Sequence, residues 1–215
     1  MTVQTPIPDF SAARLAMVES QLRPQGVDLA VTRAMGSVER ERFVPEAVGP
    51  LAYVDRGLPL GGGRFLAAPA VLGQLLTQMM PERGQRALVV GAGTGYSAAV
   101  LAAMGLEVVA IESSPELAAK ARELRINVVE APLEAGDPQG RAFHQILIDG
   151  AVEVIPDAIV SQLADGGRLG TAIIDRGITR LAVGRKAGGA FGYLTFGDAG
   201  APALPGFTRP KEFTF

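Results

Sequence analysis

The chain of 215 residues contains no cysteine, no tryptophan and a single histidine, His144. Without cysteine there is no disulfide, no thiolate nucleophile and no Cys-ligated metal. A lone histidine cannot supply the imidazole sets that hold zinc, so no metal site is expected. A Ser-His-Asp hydrolase would have to be built around His144 alone. An excess of positive charge is also missing: 20 Lys and Arg stand against 22 Asp and Glu, a formal net charge of −2. A surface that grips nucleic acid through its phosphates needs the opposite balance, so no nucleic-acid partner is expected. No uncharged apolar run reaches the roughly 20 residues that span a bilayer. The opening residues, MTVQTPIPDFSAARL, lack the basic start and apolar stretch of a secretory signal. These absences predict a cytoplasmic protein without a membrane partner, and they set no oligomeric state.

What is present suits an ordinary globular core. Apolar residues make up 48% of the chain, and the length is that of one domain. The expected organisation is a single domain over 1–215, with a helical and loop segment at 1–80, an α/β core at 81–197 and an irregular tail at 198–215. Apolar spacing predicts helices over 9–22 and 28–38, which Asp9 or Ser11 and Asp28 can cap. A further helix is predicted over 70–79, with Pro69 suited to its first turn. Prolines and a GGG run mark 39–69 as loops and short elements. Strands predicted at 86–90, 107–111, 126–129, 144–148 and 167–174 alternate with helices at 95–104, 115–124 and 156–164. That alternation implies right-handed βαβ units and a parallel sheet covered on both faces. Residues 178–197, around KAGG, read as an antiparallel hairpin at the sheet edge.

The stretch RALVVGAGTGYSAAVLAAMGLEVVAIE, residues 86–112, carries the chemistry. Gly91, Gly93 and Gly95 follow a strand directly. Such glycines let the backbone turn sharply and let a ligand approach closely. The helix that opens near Tyr96 points its free N–H groups and positive dipole end at the same space. Glu112 ends the next strand, where a carboxylate can accept hydrogen bonds from both hydroxyls of an adenosine ribose. The nicotinamide fingerprint is G-x-G-x-x-G. Here its sixth position is Tyr96, which disfavours a nicotinamide-dependent oxidoreductase. His144 falls at the start of a strand, away from the C-terminal edge where ligands bind, and reads as structural.

Four ordered segments resemble the protein-L-isoaspartate O-methyltransferase family: MGSVERERFVP (35–45), AYVDRGLPLGGG (52–63), VVGAGTGYSAAVLA (89–102) and FHQILIDGAVEVIPDAIVSQLADGGRL (143–169). The likeness runs from about Met17 to about Ala172. It implies an α/β, seven-stranded S-adenosylmethionine-dependent methyltransferase fold of Rossmann-like type, with N-terminal helices and a C-terminal antiparallel edge hairpin. It implies S-adenosyl-L-methionine as cofactor, and a damaged protein, a peptide or a small carboxylate as methyl acceptor. By position, Gly91, Ala92, Gly93, Gly95 and Tyr96 would form the cofactor turn. Glu112 would hold the ribose, and Asp149 would lie by the methionine end. Asp55, Phe65, Leu66, Ala67 and Pro69 are the implied substrate-pocket residues, and no catalytic residue is assigned.

The chain also departs from the family pattern. Where the family reads roughly G-q-T-i-S-x-P-y/h, this chain reads GRFLAAPA at 63–70. Phe65 replaces a threonine, Ala67 replaces the hydroxyl residue credited with helping transfer, and Ala70 replaces an aromatic or histidine. Pro132 falls at the family aspartate that contacts adenine, with Glu134 as the nearby substitute. These departures leave an alternative open: a catalytically impaired, cofactor-sensing or partner-binding protein that docks through RFLAAPAVL.

Overall fold

Apolar runs separated by glycine turns build the centre of this protein, whose computed structural model describes residues 9–209. The first helix, α1 (Phe10–Ala16), continues into a wider π-helical turn at Met17–Leu22, and α2 (Leu29–Ser37) follows. Asp9 accepts from the Ser11 and Ala12 N–H groups, and Asp28 accepts from Ala30. Both helix starts are thereby satisfied by the expected carboxylates. Residues 39–57 hold two 3-10 turns, Arg40–Phe43 and Glu46–Leu51. Two short strands, β1 (Leu58–Gly61) and β2 (Arg64–Leu66), then pair as an antiparallel hairpin that lay hidden in the proline- and glycine-rich stretch. Helix α3 (Pro69–Met79) completes the N-terminal layer.

From there the chain alternates: β3 (Arg86–Val90), α4 (Tyr96–Ala103), β4 (Glu107–Glu112), α5 (Pro115–Glu123), β5 (Val128–Glu130), β6 (Phe143–Val152), α6 (Asp157–Ser161), β7 (Leu163–Asp175), β8 (Ile178–Ala187) and β9 (Ala190–Asp198). The sheet order is β5-β4-β3-β6-β7-β8-β9. The first five strands run parallel and the last two antiparallel. Side chains alternate across β3. Ala87 and Val89 join the core under the N-terminal helices, and Leu88 and Val90 join the core of the other face. Both faces are therefore buried, and each large apolar side chain removed from water contributes about 1.5–3 kcal/mol.

Several boundaries moved for local reasons. The strand expected at 126–129 begins at Val128. Arg125 (φ 63°) and Ile126 are used to close α5, the Ile126 N–H bonding to Ala121 O. The helix expected over 156–164 is only Asp157–Ser161, because β7 starts at Leu163 to pair with Phe143. The tail is not merely irregular chain after 198. Its segment 201–207 docks on β6 through Ala151 N–H to Pro202 O (3.0 Å), Leu204 N–H to Ala151 O (2.8 Å) and Glu153 N–H to Phe207 O (3.1 Å). Leu204 and Phe207 are buried. The readings on residues 1–8 and 210–215 lie outside the described residues. Among the described residues, no helix is long and apolar enough to cross a membrane.

Candidate cofactor and acceptor site

β3 has β4 on one side and β6 on the other, so the strand order reverses there. In an open α/β sheet the crevice at such a point, beyond the strands' C-terminal ends, is where ligands bind. The glycine turn lies in that crevice. The N–H groups of Gly91 and Ala92 both donate to Ile111 O (2.9 and 3.1 Å), tying the turn to β4. Gly95, at φ 96°, caps α4, and a Cβ there would stand 2.6 Å from Ile126 Cγ1. Only glycine meets both conditions, a left-handed backbone and close packing against the chain after α5.

Glu112 has no solvent exposure. Its Oε2 accepts from Gly93 N–H (2.7 Å). Its Oε1 accepts from Ser113 N–H (2.8 Å), Ser114 N–H (3.0 Å) and the Arg64 guanidinium (2.6 Å). Arg64, 7% exposed, spends its second nitrogen on Gly91 O at 2.8 Å. A buried ion pair is tolerable when further hydrogen bonds support both partners, and here Glu112 accepts three backbone N–H bonds besides the guanidinium while Arg64 also bonds Gly91 O.

The donor set suits S-adenosylmethionine. An acceptor-only carboxylate ends β4, and a turn with no Cβ faces the same space. The room between them is taken by the protein itself. A Cβ on Gly91 would sit 3.1 Å from Leu204 Cδ1 and 3.2 Å from Arg64 Nη2. Gly91, Ala92, Gly93, Thr94, Gly95 and Tyr96 are all buried. The residues present fit the cofactor in kind.

Beside the turn lies a cavity of about 20 Å³, lined in part by Gly63, Arg64, Ala67, Leu72, Asp149 and Leu204. The Asp149 carboxylate accepts from the Ser97 hydroxyl. Burial pushes the Asp149 carboxyl above the usual aspartate range, while that hydrogen bond and the Arg64 and Arg40 charges pull the other way. Ala67 and Phe65 line the same cavity, and Phe65 stands 42% exposed. Leu66 is packed into the core, and Pro69 is the buried first residue of α3.

Two expected site residues point elsewhere. Asp55 is exposed and does not line the cavity; its Oδ1 accepts from Ala70 N–H (2.9 Å). It therefore satisfies an orphan donor in the first turn of α3. Tyr96 packs edge-on to Phe43, ring centroids 5.5 Å apart, with the Arg40 guanidinium 4.7 Å from its ring centre. It faces the N-terminal segment, its buried hydroxyl finds no hydrogen-bond partner among the described residues, and burial raises its pKa. Pro132 is exposed at the start of a short turn, Leu133–Ala135. Glu134 reaches toward the tail, its Oε2 2.7 Å from where a Cβ on Gly206 would stand. His144, at the far end of β6, is exposed and accepts from Arg86 N–H at 3.2 Å.

Sequence reasoning missed Arg64, Leu204 and Arg40. Arg40 is fully buried, and desolvation lowers its pKa. It donates to Ala52 O (2.7 Å) and Ala67 O (2.5 Å), so it holds the backbone of the cavity wall in place. A single arginine between a GGG run and an apolar run was the available signal for Arg64. Nothing in the chain order names Glu112 as its partner.

The family profile described as protein-L-isoaspartate(D-aspartate) O-methyltransferase matches residues 14–191. A protein-L-isoaspartate O-methyltransferase of Methylorubrum extorquens is 41% identical over 175 residues, covering 78% of this chain and 77% of its own. One from Gloeobacter violaceus is 38% identical over 192 residues, covering 84% and 93%. A solved Plasmodium falciparum structure, assigned to the same enzyme class and in complex with S-adenosyl-L-homocysteine, superposes with a TM-score of 0.78. It covers 92% of this chain and 99% of that one at 19% identity, a likeness of fold. The chain belongs to the protein-L-isoaspartate O-methyltransferase family.

Proposed function

We propose that this protein transfers a methyl group from S-adenosylmethionine to a carboxylate on a protein or peptide, with the isoaspartyl side chain of damaged protein as the family's named acceptor. The reading places it among cytoplasmic protein-repair enzymes. The observation that carries it is Glu112, a fully buried carboxylate at the end of β4 that is hydrogen-bonded to the glycine turn. When bound, the cofactor supplies an activated sulfonium methyl: an acceptor oxygen bonds to the methyl carbon, the carbon–sulfur bond breaks, and its electron pair stays on sulfur.

The ionised acceptor needs no proton removed, so the protein's work is alignment and exclusion of water. Glu112 orients the ribose. Ala67, Leu72 and Phe65 keep the acceptor side apolar. Asp149, pushed toward its neutral form by burial, adds little negative charge to oppose an incoming carboxylate.

That apolar wall also limits the reaction. A carboxylate entering it gives up water for few partners, at a cost of at least a few kcal/mol. Methylation of an isoaspartyl peptide should therefore be slow, below about 1 per second. The double variant Phe65→Thr, Ala67→Ser should accelerate it, measured as methyl ester formed. Ala70 is left alone because it is buried in the first turn of α3. Ordinary turnover in the unmodified protein would show that the wall is no obstacle. Bound cofactor with no ester on any carboxylate would favour a non-catalytic role.

A further inference from the structure

Two segments distant in the chain meet in the crevice at the end of β3. From β2, Arg64 reaches Glu112 and Gly91 O. From the tail, Leu204 lies in the gaps left by two glycines, Gly91 and Gly150, and its Cγ stands where a Cβ on Gly150 would crowd it. Pro202 and Pro205 stiffen the segment on either side of Leu204. Together they leave a cavity of about 20 Å³. That is room for roughly one water, whereas pockets for ligands of cofactor size run to at least about 300 Å³.

We propose that Arg64 and the strap 201–207 form a plug that occupies the cofactor's own cradle, so that the cofactor binds only by displacing them. The inference rests on the S-adenosylmethionine reading above. The plug is specific: it uses the carboxylate that the ribose would use, and it covers Gly91, the first glycine of the turn against which the ligand would lie. It is also removable. The strap is held by three backbone hydrogen bonds to β6, by the Arg209 N–H to Glu153 (2.8 Å), and by Leu204 and Phe207. No strand of the main sheet depends on it. Displacement lifts the strap off β6, breaking those three backbone hydrogen bonds and withdrawing Leu204, and swings one arginine. Affinity for the cofactor is then reduced by the fraction of molecules in which the plug is open.

The test is calorimetric titration with S-adenosylhomocysteine of the unmodified protein, Arg64→Gln and Leu204→Ala, with hydrogen exchange followed at the Ala151, Glu153 and Leu204 amides. The expected result is weak binding to the unmodified protein, about tenfold or more tighter binding to either variant, and loss of protection at the three amides on saturation. Leu204→Ala keeps the Arg64–Glu112 pair, so it decides the matter even where Arg64→Gln fails to fold. Equal affinity in folded variants, with the strap amides as protected as before, overturns the plug and leaves the cofactor reading standing. No binding to any folded variant overturns both.

Discussion

Two carboxylates face the crevice from strands on either side of β3, and their surroundings differ sharply. On the β4 side, Glu112 accepts three backbone N–H bonds and one from a guanidinium. On the β6 side, Asp149 accepts from the Ser97 hydroxyl, and burial raises its pKa. One carboxylate is set among four donors. The other is set where burial favours its neutral form. Under the proposed function, a ligand with hydroxyls would lie on the first side, and the methyl donor would meet its acceptor on the second.

Breaking the β4 side should cost most. Glu112→Ala removes the partner of a buried guanidinium and the acceptor of three N–H groups. Stability should fall by about 3–5 kcal/mol, read from urea unfolding, and S-adenosylhomocysteine binding should be lost. Glu112→Gln, which keeps the shape, should recover part of the stability. A loss below about 1 kcal/mol would mean that water replaces the carboxylate freely and that the two sides differ less than their geometry indicates.

Asp149→Asn sharpens the comparison from the other side. Because burial raises the pKa of Asp149 in the folded protein, stability falls as pH rises through the interval between the ordinary aspartate value and the raised one. The full contribution is present below that interval and is lost above it. The variant should remove this slope from a plot of unfolding free energy against pH and should gain about 1 kcal/mol at neutral pH. A slope that survives the substitution would assign it to another group.

The smallest effect is expected far from both carboxylates. Leu194, on the edge strand β9, is 78% exposed. Leu194→Lys should change stability by no more than about 0.5 kcal/mol and leave cofactor affinity unaltered. A larger loss would show that the hairpin edge is covered in solution.

The β3–turn–α4–β4 unit was legible because each of its signals is local. Residues 86–90 and 107–111 are apolar runs between turns, and both are strands paired in parallel. Gly91, Gly93 and Gly95 all adopt positive φ, a requirement set by the local backbone. The edge hairpin around residues 186–189 was legible for the same reason. The lining of the neighbouring cavity was half legible. Ala67 lines the cavity, but Asp55 serves a helix start, because packing brings its carboxylate to the Ala70 N–H and chain order does not record that. Tyr96 followed the glycines as a cofactor residue would, yet its ring turned to Phe43 and Arg40, a packing choice that no motif records.

The order of strands and helices, the sharp turn after β3 and the carboxylate at the end of β4 were determined by the sequence itself, since side-chain periodicity and backbone dihedral limits act over a few residues. Which partner that carboxylate takes was decided only by the tertiary structure. Arg64 reaches Glu112, and Leu204 enters the gaps at Gly91 and Gly150. Burial of a charge is favourable or ruinous according to the groups brought beside it, and that depends on how distant segments pack.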